Sequence, residues 1–254
     1  MLRNLQMLPK EYYLVALNSV DSTNERAKIL AGAGAGDRTL VWAMEQTAGR
    51  GRYGRTFVSP RGNLYLSIIL RPRCTPMEAL QFGFIAAVSL GDSLDRIAPP
   101  GVDMTGLRYK WPNDVLFRNR KISGILLESS TSIDGSLDWL VVGVGVNIVS
   151  HPDDTSTPAG DLREAGFDGV TEESLMIGYI GAFERLRRQW LADGFSGIRR
   201  AWLERAAGQG QVVTVSLGEK RDQGVFVDLD ADGAMILQTE DGTRRRITVG
   251  DVFV

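Results

Sequence analysis

The run NLYLSIIL at residues 63–70 leaves few architectures open. Leu64, Leu66, Ile68 and Leu70 alternate with Tyr65, Ser67 and Ile69. The two-residue period is that of a strand, and the largely apolar makeup of both sets predicts burial on both faces. Such a strand needs a sheet with packing partners above and below.

The rest of the chain supplies them. Residues 12–17, 39–44, 107–111, 115–117, 121–128 and 139–148 read as further strands. Ser22-x-x-Glu25 is a capping box that opens a short helix through Ala31. Thr75-Pro76-Met77-Glu78 is another, with proline at the first helical position and Leu80, Phe84, Ala87 and Leu94 on one apolar face. Two amphipathic helices are predicted near 172–191 and 195–206. After Ala207-Gly208-Gln209-Gly210 the composition changes to short strands at 212–217, 224–229, 234–238 and 246–249, with turns at 231–233 and 240–242. The expected fold class is α+β: a mixed sheet backed by helices over residues 1–207, and a small C-terminal β-barrel over residues 208–254. A barrel of that size has little core of its own and should dock on its neighbour.

Against this background one loop stands apart. Residues 49–57 read GRGRYGRTF, and no carboxylate occurs between Gly49 and Arg73, although Arg50, Arg52, Arg55, Arg61, Arg71 and Arg73 do. Glycines let backbone N–H groups approach a ligand, and guanidinium groups fork onto phosphate or carboxylate. The plain alternative is a solvated Arg/Gly loop that binds nothing. The formal net charge of the chain is −2, which opposes a general nucleic-acid surface.

One cysteine, Cys74, and one histidine, His151, exclude several chemistries. A lone thiol builds no disulfide framework, and no His/Cys zinc site can be assembled. His151 sits in SHPDDTST with no nucleophile elbow nearby and reads as a solvated loop residue; Cys74 reads as a buried or semi-buried apolar one. No P-loop is present. AGAGAG at 31–36 follows a helix, and GVGVN at 143–147 lacks the helix a dinucleotide fingerprint requires. Two glycines inside that β-forming run instead suggest something pressed close to the backbone. DLDADG at 228–233 has Thr239 where a calcium loop needs its bidentate acid, and reads as a hairpin turn. With no apolar run long enough to cross a bilayer and no signal-peptide pattern, the expectation is a soluble cytoplasmic protein.

The segments DSTNE (21–25), EQTAGRGRYGR (45–55), SPRGNLYLSIIL (59–70), KWPNDVLF (110–117), RKISGILLE (120–128) and GVGVNI (143–148) occur in one order. In that order, over nearly the whole chain, they resemble the biotin protein ligases. The resemblance implies a biotin/lipoyl ligase-type catalytic domain with an SH3-like C-terminal barrel. It implies activation of biotin by MgATP to biotinoyl-5′-AMP, then transfer to a lysine of a biotin carboxyl carrier domain. It assigns Lys121 and Arg52 to catalysis. Ser22, Thr23, Asn24, Gln46, Arg50, Gly51, Arg52, Lys121, Gly143 and Gly145 go to biotin. Arg50, Arg52, Arg55, Phe57, Lys110, Asp114 and Asn147 go to ATP, with Phe57 where the family can carry tryptophan. No metal ligand is assigned. About eleven residues precede the first strand, too few for the helix-turn-helix of some members. The expected partners are therefore biotin, ATP and the carrier domain, without nucleic acid or membrane, in a monomer or weak homodimer.

Three other readings stay open. A lipoate or octanoate ligase or transferase of the same fold group has no use for ureido-binding groups such as Ser22 and Gln46. A nucleic-acid module would want stacking aromatics that 212–254 does not display. A biotin-binding remnant without transfer has no need of Lys121.

Overall fold

The computed structural model describes residues 5–153, 155 and 157–253. A seven-stranded sheet forms the larger part, from β1 (Tyr13–Leu17), β2 (Thr39–Ala43), β3 (Leu64–Leu70), β4 (Leu107–Lys110), β5 (Asp114–Phe117), β6 (Arg120–Thr131) and β7 (Leu137–Val146). Its order is β1-β2-β3-β7-β6-β5-β4. β1 and β2 run parallel and every other pair antiparallel, so the sheet is mixed as expected.

β3 lies inside this sheet and every one of its residues is buried. Leu64, Leu66, Ile68 and Leu70 face a core built with α3 (Gln81–Ile97), α4 (Glu172–Asp193) and α5 (Ser196–Leu203). On the other face Ile69 joins Val41 and Val141 under Ala27 and Ala31 of α1 (Thr23–Gly32). The alternation read from the sequence thus divides one strand between two cores.

The Thr75 capping box is complete: Thr75 Oγ1 accepts from Glu78 N at 3.2 Å, and Thr75 N donates to Glu78 Oε2 at 2.8 Å. It opens a one-turn helix, α2 (Pro76–Ala79), which breaks at Leu80 before α3 begins. The Ser22 box is half formed. Ser22 Oγ accepts from Glu25 N, whereas Ser22 N donates to Asp21. Glu25 turns instead to Lys28 and Arg50, two cations that outbid a backbone N–H.

The second sheet holds β8 (Val212–Leu217), β9 (Lys220–Leu229), β10 (Met235–Gln238), β11 (Arg244–Ile247) and β12 (Asp251–Phe253) in the order β11-β10-β9-β8-β12. It is an open antiparallel sheet, with no ladder joining β11 to β12 among the described residues. β12 was not foreseen, β9 starts earlier and β11 ends earlier than the sequence suggests. In the β9–β10 turn Asp230 accepts from Asp232 N and Ala234 N, as a hairpin requires.

The second sheet docks as its small core demands. Trp202 of α5, 1% exposed, stacks on Tyr109 at 6.1 Å and meets Phe84 at 5.4 Å and Phe226 of β9 at 6.4 Å edge to face. Trp111 Nε1 donates to Gly233 O at 3.1 Å, Gln81 Nε2 to Ala231 O at 3.0 Å and Arg199 Nε to Leu229 O at 2.8 Å. Trp202→Ala should therefore destabilise the protein by about 3–5 kcal/mol, through lost burial plus a cavity at the junction. Urea unfolding would measure it, and a loss below about 1 kcal/mol would contradict the junction's role.

Candidate active site

A cavity of about 540 Å3 opens between the end of the first sheet, the arginine loop and β12. Every residue nominated from the sequence lines it: Ser22, Thr23, Asn24, Gln46, Arg50, Gly51, Arg52, Arg55, Phe57, Lys110, Asp114, Lys121, Gly143, Gly145 and Asn147. They come from α1 and the residue before it, the loop after β2, the facing ends of β4 and β5, β6, and β7 with the residue after it.

One end is polar without charge at its centre. Gln46 Oε1 accepts from Thr23 N at 2.8 Å, and Gln46 Nε2 donates to Ser59 Oγ at 2.9 Å. Ser67 Oγ lies 2.8 Å from Thr23 Oγ1 and 2.6 Å from Asn24 Oδ1. Asn24 Nδ2 donates to Glu128 Oε2 at 2.9 Å. These side chains are held in one arrangement before any ligand arrives. Ser22 is 2% exposed, and its hydroxyl keeps a proton to donate.

The floor is glycine. Gly124 and Gly145 pair directly across β6 and β7, and Leu126 pairs with Gly143. A Cβ on Gly145 would stand 2.7 Å from the Phe57 ring, and one on Gly143 would stand 2.1 Å from Asn24 Oδ1. Backbone is approached closely here, as the two glycines of GVGVN suggested. The groups that approach it in this structure are Phe57 and Asn24.

The other end is cationic. A bulge between β5 and β6 leaves Ile122 unpaired: Val115 pairs with Ser123, and Leu116 with Lys121. Bulges re-aim side chains. Ile122 joins the helix-side core, while Lys121 Nζ comes within 3.4 Å of where a Gly124 Cβ would be, on the cavity side. Lys121 pairs with Asp114 at 2.7 Å. Lys110 has no carboxylate partner among the described residues. Its Nζ donates to Thr157 Oγ1 at 3.1 Å and lies 5.7 Å above the Phe253 ring. Burial pushes its pKa below the ordinary lysine range; Asp114 and Asp251 oppose the shift, and Lys121 and Arg55 add to it.

The arginine loop closes on itself through Phe57 N to Gly49 O at 2.9 Å and Gly51 N to Arg55 O at 2.7 Å. Gly49 is the glycine its neck requires, since a Cβ there would meet Phe57 O at 2.3 Å. Arg50 pairs with Glu25. Arg52 donates to Asn113 Oδ1 at 2.9 Å, and with Arg55 it grips Asp251 of β12. Asn147 Nδ2 donates to Gly160 O at 3.0 Å, while its buried Oδ1 has no partner among the described residues. An unpaired buried acceptor suits a donor brought by a ligand.

Sequence reasoning missed Asn113, Gly124, Asp251 and Phe253. Gly124 had a signal, a glycine inside a β-forming run, as for Gly143 and Gly145. Asp251 had none. His151 is a correction: it is no solvated loop residue. Its side chain is 12% exposed, with Nδ1 2.9 Å from Asp161 Oδ2 and Nε2 3.0 Å from Arg120. Cys74 is half-buried, as expected, and burial pushes its thiol up to about 11. In the polar stretch 150–160, Asp154 and Ser156 lie outside the described residues. Its end is tied to Lys121, whose N donates to Pro158 O at 2.7 Å and whose O accepts from Gly160 N at 3.0 Å. Among the described residues no helix is long and apolar enough to cross a membrane.

Comparison with known proteins identifies the family. Residues 16–147 match the biotin/lipoate A/B protein ligase family and residues 209–254 the biotin protein ligase C terminal domain. A biotin–[acetyl-CoA-carboxylase] ligase of Paracoccus denitrificans is 39% identical over 93% of this chain and 98% of its own. One from Mycobacterium tuberculosis is 31% identical over 91% and 85%. The structure of a biotin protein ligase from Aquifex aeolicus in complex with biotin and ATP superposes with a TM-score of 0.78, at 28% identity over 95% of this chain and 97% of that one. The chain belongs to the biotin/lipoate A/B protein ligase family.

Proposed function

We propose that this protein activates biotin with ATP to biotinoyl-5′-AMP and transfers the biotinoyl group to a lysine of a biotin carboxyl carrier domain. The observation that carries the reading is the two-ended cavity. Lys110, Lys121, Arg52 and Arg55 lie toward Asp114 and β12, the locked amide and hydroxyl set of Ser22, Thr23, Asn24 and Gln46 lies at α1, and Arg50 is held beside that set by Glu25. A carboxylate and a triphosphate repel each other, so their reaction needs concentrated positive charge. The ureido group of biotin needs neutral donors and acceptors.

In the first step a carboxylate oxygen of biotin bonds to the α-phosphorus as the bond to pyrophosphate breaks. In the second the lysine amine attacks the anhydride carbonyl, and AMP departs with the bonding electron pair. Neither step uses a protein nucleophile, and neither Cys74 nor His151 lines the cavity. In this reading Lys121 and Arg52 hold the reacting carboxylate and phosphate and take up developing charge. Arg50 and Gly51 flank the same junction, Arg55 and Lys110 meet the outer phosphates, and Phe57 offers a ring face to adenine. Asn147 lines the cavity on the nucleotide side in this reading. Gly143 and Gly145 add no side chains of their own to the floor.

Magnesium fits the donors present. A nucleotide-bound ion takes most ligands from phosphates and water, so one cavity carboxylate suffices, and Asp114 supplies it. The ion would neutralise phosphate charge. We divide the chain into a catalytic part, 1–207, and a docked C-terminal part, 208–254. We read it as a cytoplasmic monomer or weak homodimer that acts on a carboxylase carrier domain without nucleic acid or membrane.

Incubation with labelled biotin, MgATP and a carrier domain should label one lysine, with lipoate competing poorly. Preferential use of lipoate would transfer the reading to the lipoate branch of the family. Lys121→Ala should keep the fold, judged by circular dichroism, and lower adenylate formation at least a hundredfold, in line with electrostatic stabilisation of about 2.7–4 kcal/mol per donor. Pyrophosphate release at a rate near wild type would remove Lys121 from the mechanism. Lys110 binds phosphate only when protonated. The KM for ATP should therefore rise as pH climbs through its lowered pKa, beginning below the ordinary lysine range, and Lys110→Arg should abolish that limb of the profile. An unchanged limb in the arginine variant would assign it elsewhere.

A further inference from the structure

Asp251 comes from the last strand of the second sheet, nearly two hundred positions after the loop it touches. Its two oxygens divide between two arginines. Oδ1 accepts from Arg52 Nη2 at 2.9 Å and Oδ2 from Arg55 Nη2. Arg52 Nη2 also donates to Gly250 O at 2.8 Å, so β12 holds this guanidinium through backbone and side chain together. Asn113 Oδ1 fixes its Nη1 from the opposite side. For Arg55, Asp251 is the only ion-pair or hydrogen-bond partner of the side chain among the described residues. Both guanidinium groups also lie over Tyr53, at 4.8 and 5.8 Å from its ring centroid.

A carboxylate on the cations of a phosphate site could be a rival of the ligand or a support for the cations. The donor inventory decides between them. A guanidinium has five N–H donors. Asp251 uses only the Nη2 ends, which leaves Nε and Nη1 of Arg55, and Nε of Arg52, without a partner among the described residues. Those N–H groups can each donate singly to a phosphate oxygen while Asp251 stays in place. The carboxylate also offsets the repulsion between two like charges that the loop places three residues apart.

We propose that Asp251 is a positioning residue for the nucleotide: it fixes Arg52 and Arg55 in the orientation that receives the phosphates, and so makes the second sheet part of the ATP site. The proposal rests on the reading of the cavity as an ATP and biotin site and adds to it a residue that contacts neither ligand. Without Asp251 the arginine loop keeps its closed neck, but Arg55 keeps only the Tyr53 ring face beside it, and each ATP bound must order that side chain afresh.

Asp251→Ala and the nearly isosteric Asp251→Asn would be compared with the wild-type protein. The measurements are equilibrium binding of ATP and of biotin, each alone, together with amide exchange of residues 50–56. The alanine variant should weaken ATP about tenfold, the scale of one hydrogen bond to a charged group, with biotin changed less than twofold and faster exchange in the loop. The asparagine variant keeps one acceptor oxygen and should fall between, and it carries the test if the alanine variant is unstable. ATP binding that is unchanged or tighter in both variants, or equal weakening of both ligands, overturns the proposal. Failure of the wild-type protein to bind ATP or biotin would instead overturn the reading of the cavity itself.

Discussion

Charge of one sign, crowded into one cavity, is the constraint that organises this protein. Arg50, Arg52, Arg55, Lys110 and Lys121 line a shared space, and like charges at such range repel unless each is held. The fold answers with carboxylates drawn from separate elements. Glu25 of α1 takes Arg50, Asp114 of β5 takes Lys121, and Asp251 of β12 takes Arg52 and Arg55. These pairs are partly exposed, so their contribution to net stability is small. Their effect is on orientation, because a guanidinium or ammonium with a fixed partner points one way. Among the described residues Lys110 alone of the set lacks a carboxylate partner, and burial pushes its pKa below the ordinary lysine range.

The sheet places these groups through departures from regular pairing. A strand with strict alternation through Ser123 would send Lys121 into the helix-side core. The bulge at Ile122 absorbs one residue and returns the lysine to the cavity. Beside it, facing glycines on β6 and β7 remove the side chains that would fill the floor. Ile125, Val142, Val144 and Val146 on the same strands remain apolar and buried beneath the site.

Local patterns carried much of this into the sequence. NLYLSIIL announces a doubly covered strand because alternation is a property of neighbours, and Thr75-Pro76-Met77-Glu78 announces a helix start because its hydrogen bonds span one turn. The loop arginines were visible as a charge anomaly, and the ordered motifs brought together residues that no spacing alone would unite. What escaped depends on partners far apart in the chain. Glu25 fits a capping box until Arg50 and Lys28 arrive from outside it. His151 looks solvated in a polar stretch until Asp161 and Arg120 close around it. Asp251 sits on a strand of three residues, too short for a periodic signal, and its meaning lies with two arginines of the distant loop that follows β2.

Phe57 gives the glycine floor a further significance. Its ring rests against Gly145, and its own N–H bonds to Gly49 O at the mouth of the loop. The aromatic is thus a stopper tethered to the same short hairpin that carries the arginines. A guest that lies against Gly145 has to displace that ring, and the ring is tied through its own backbone to the loop that carries the cations.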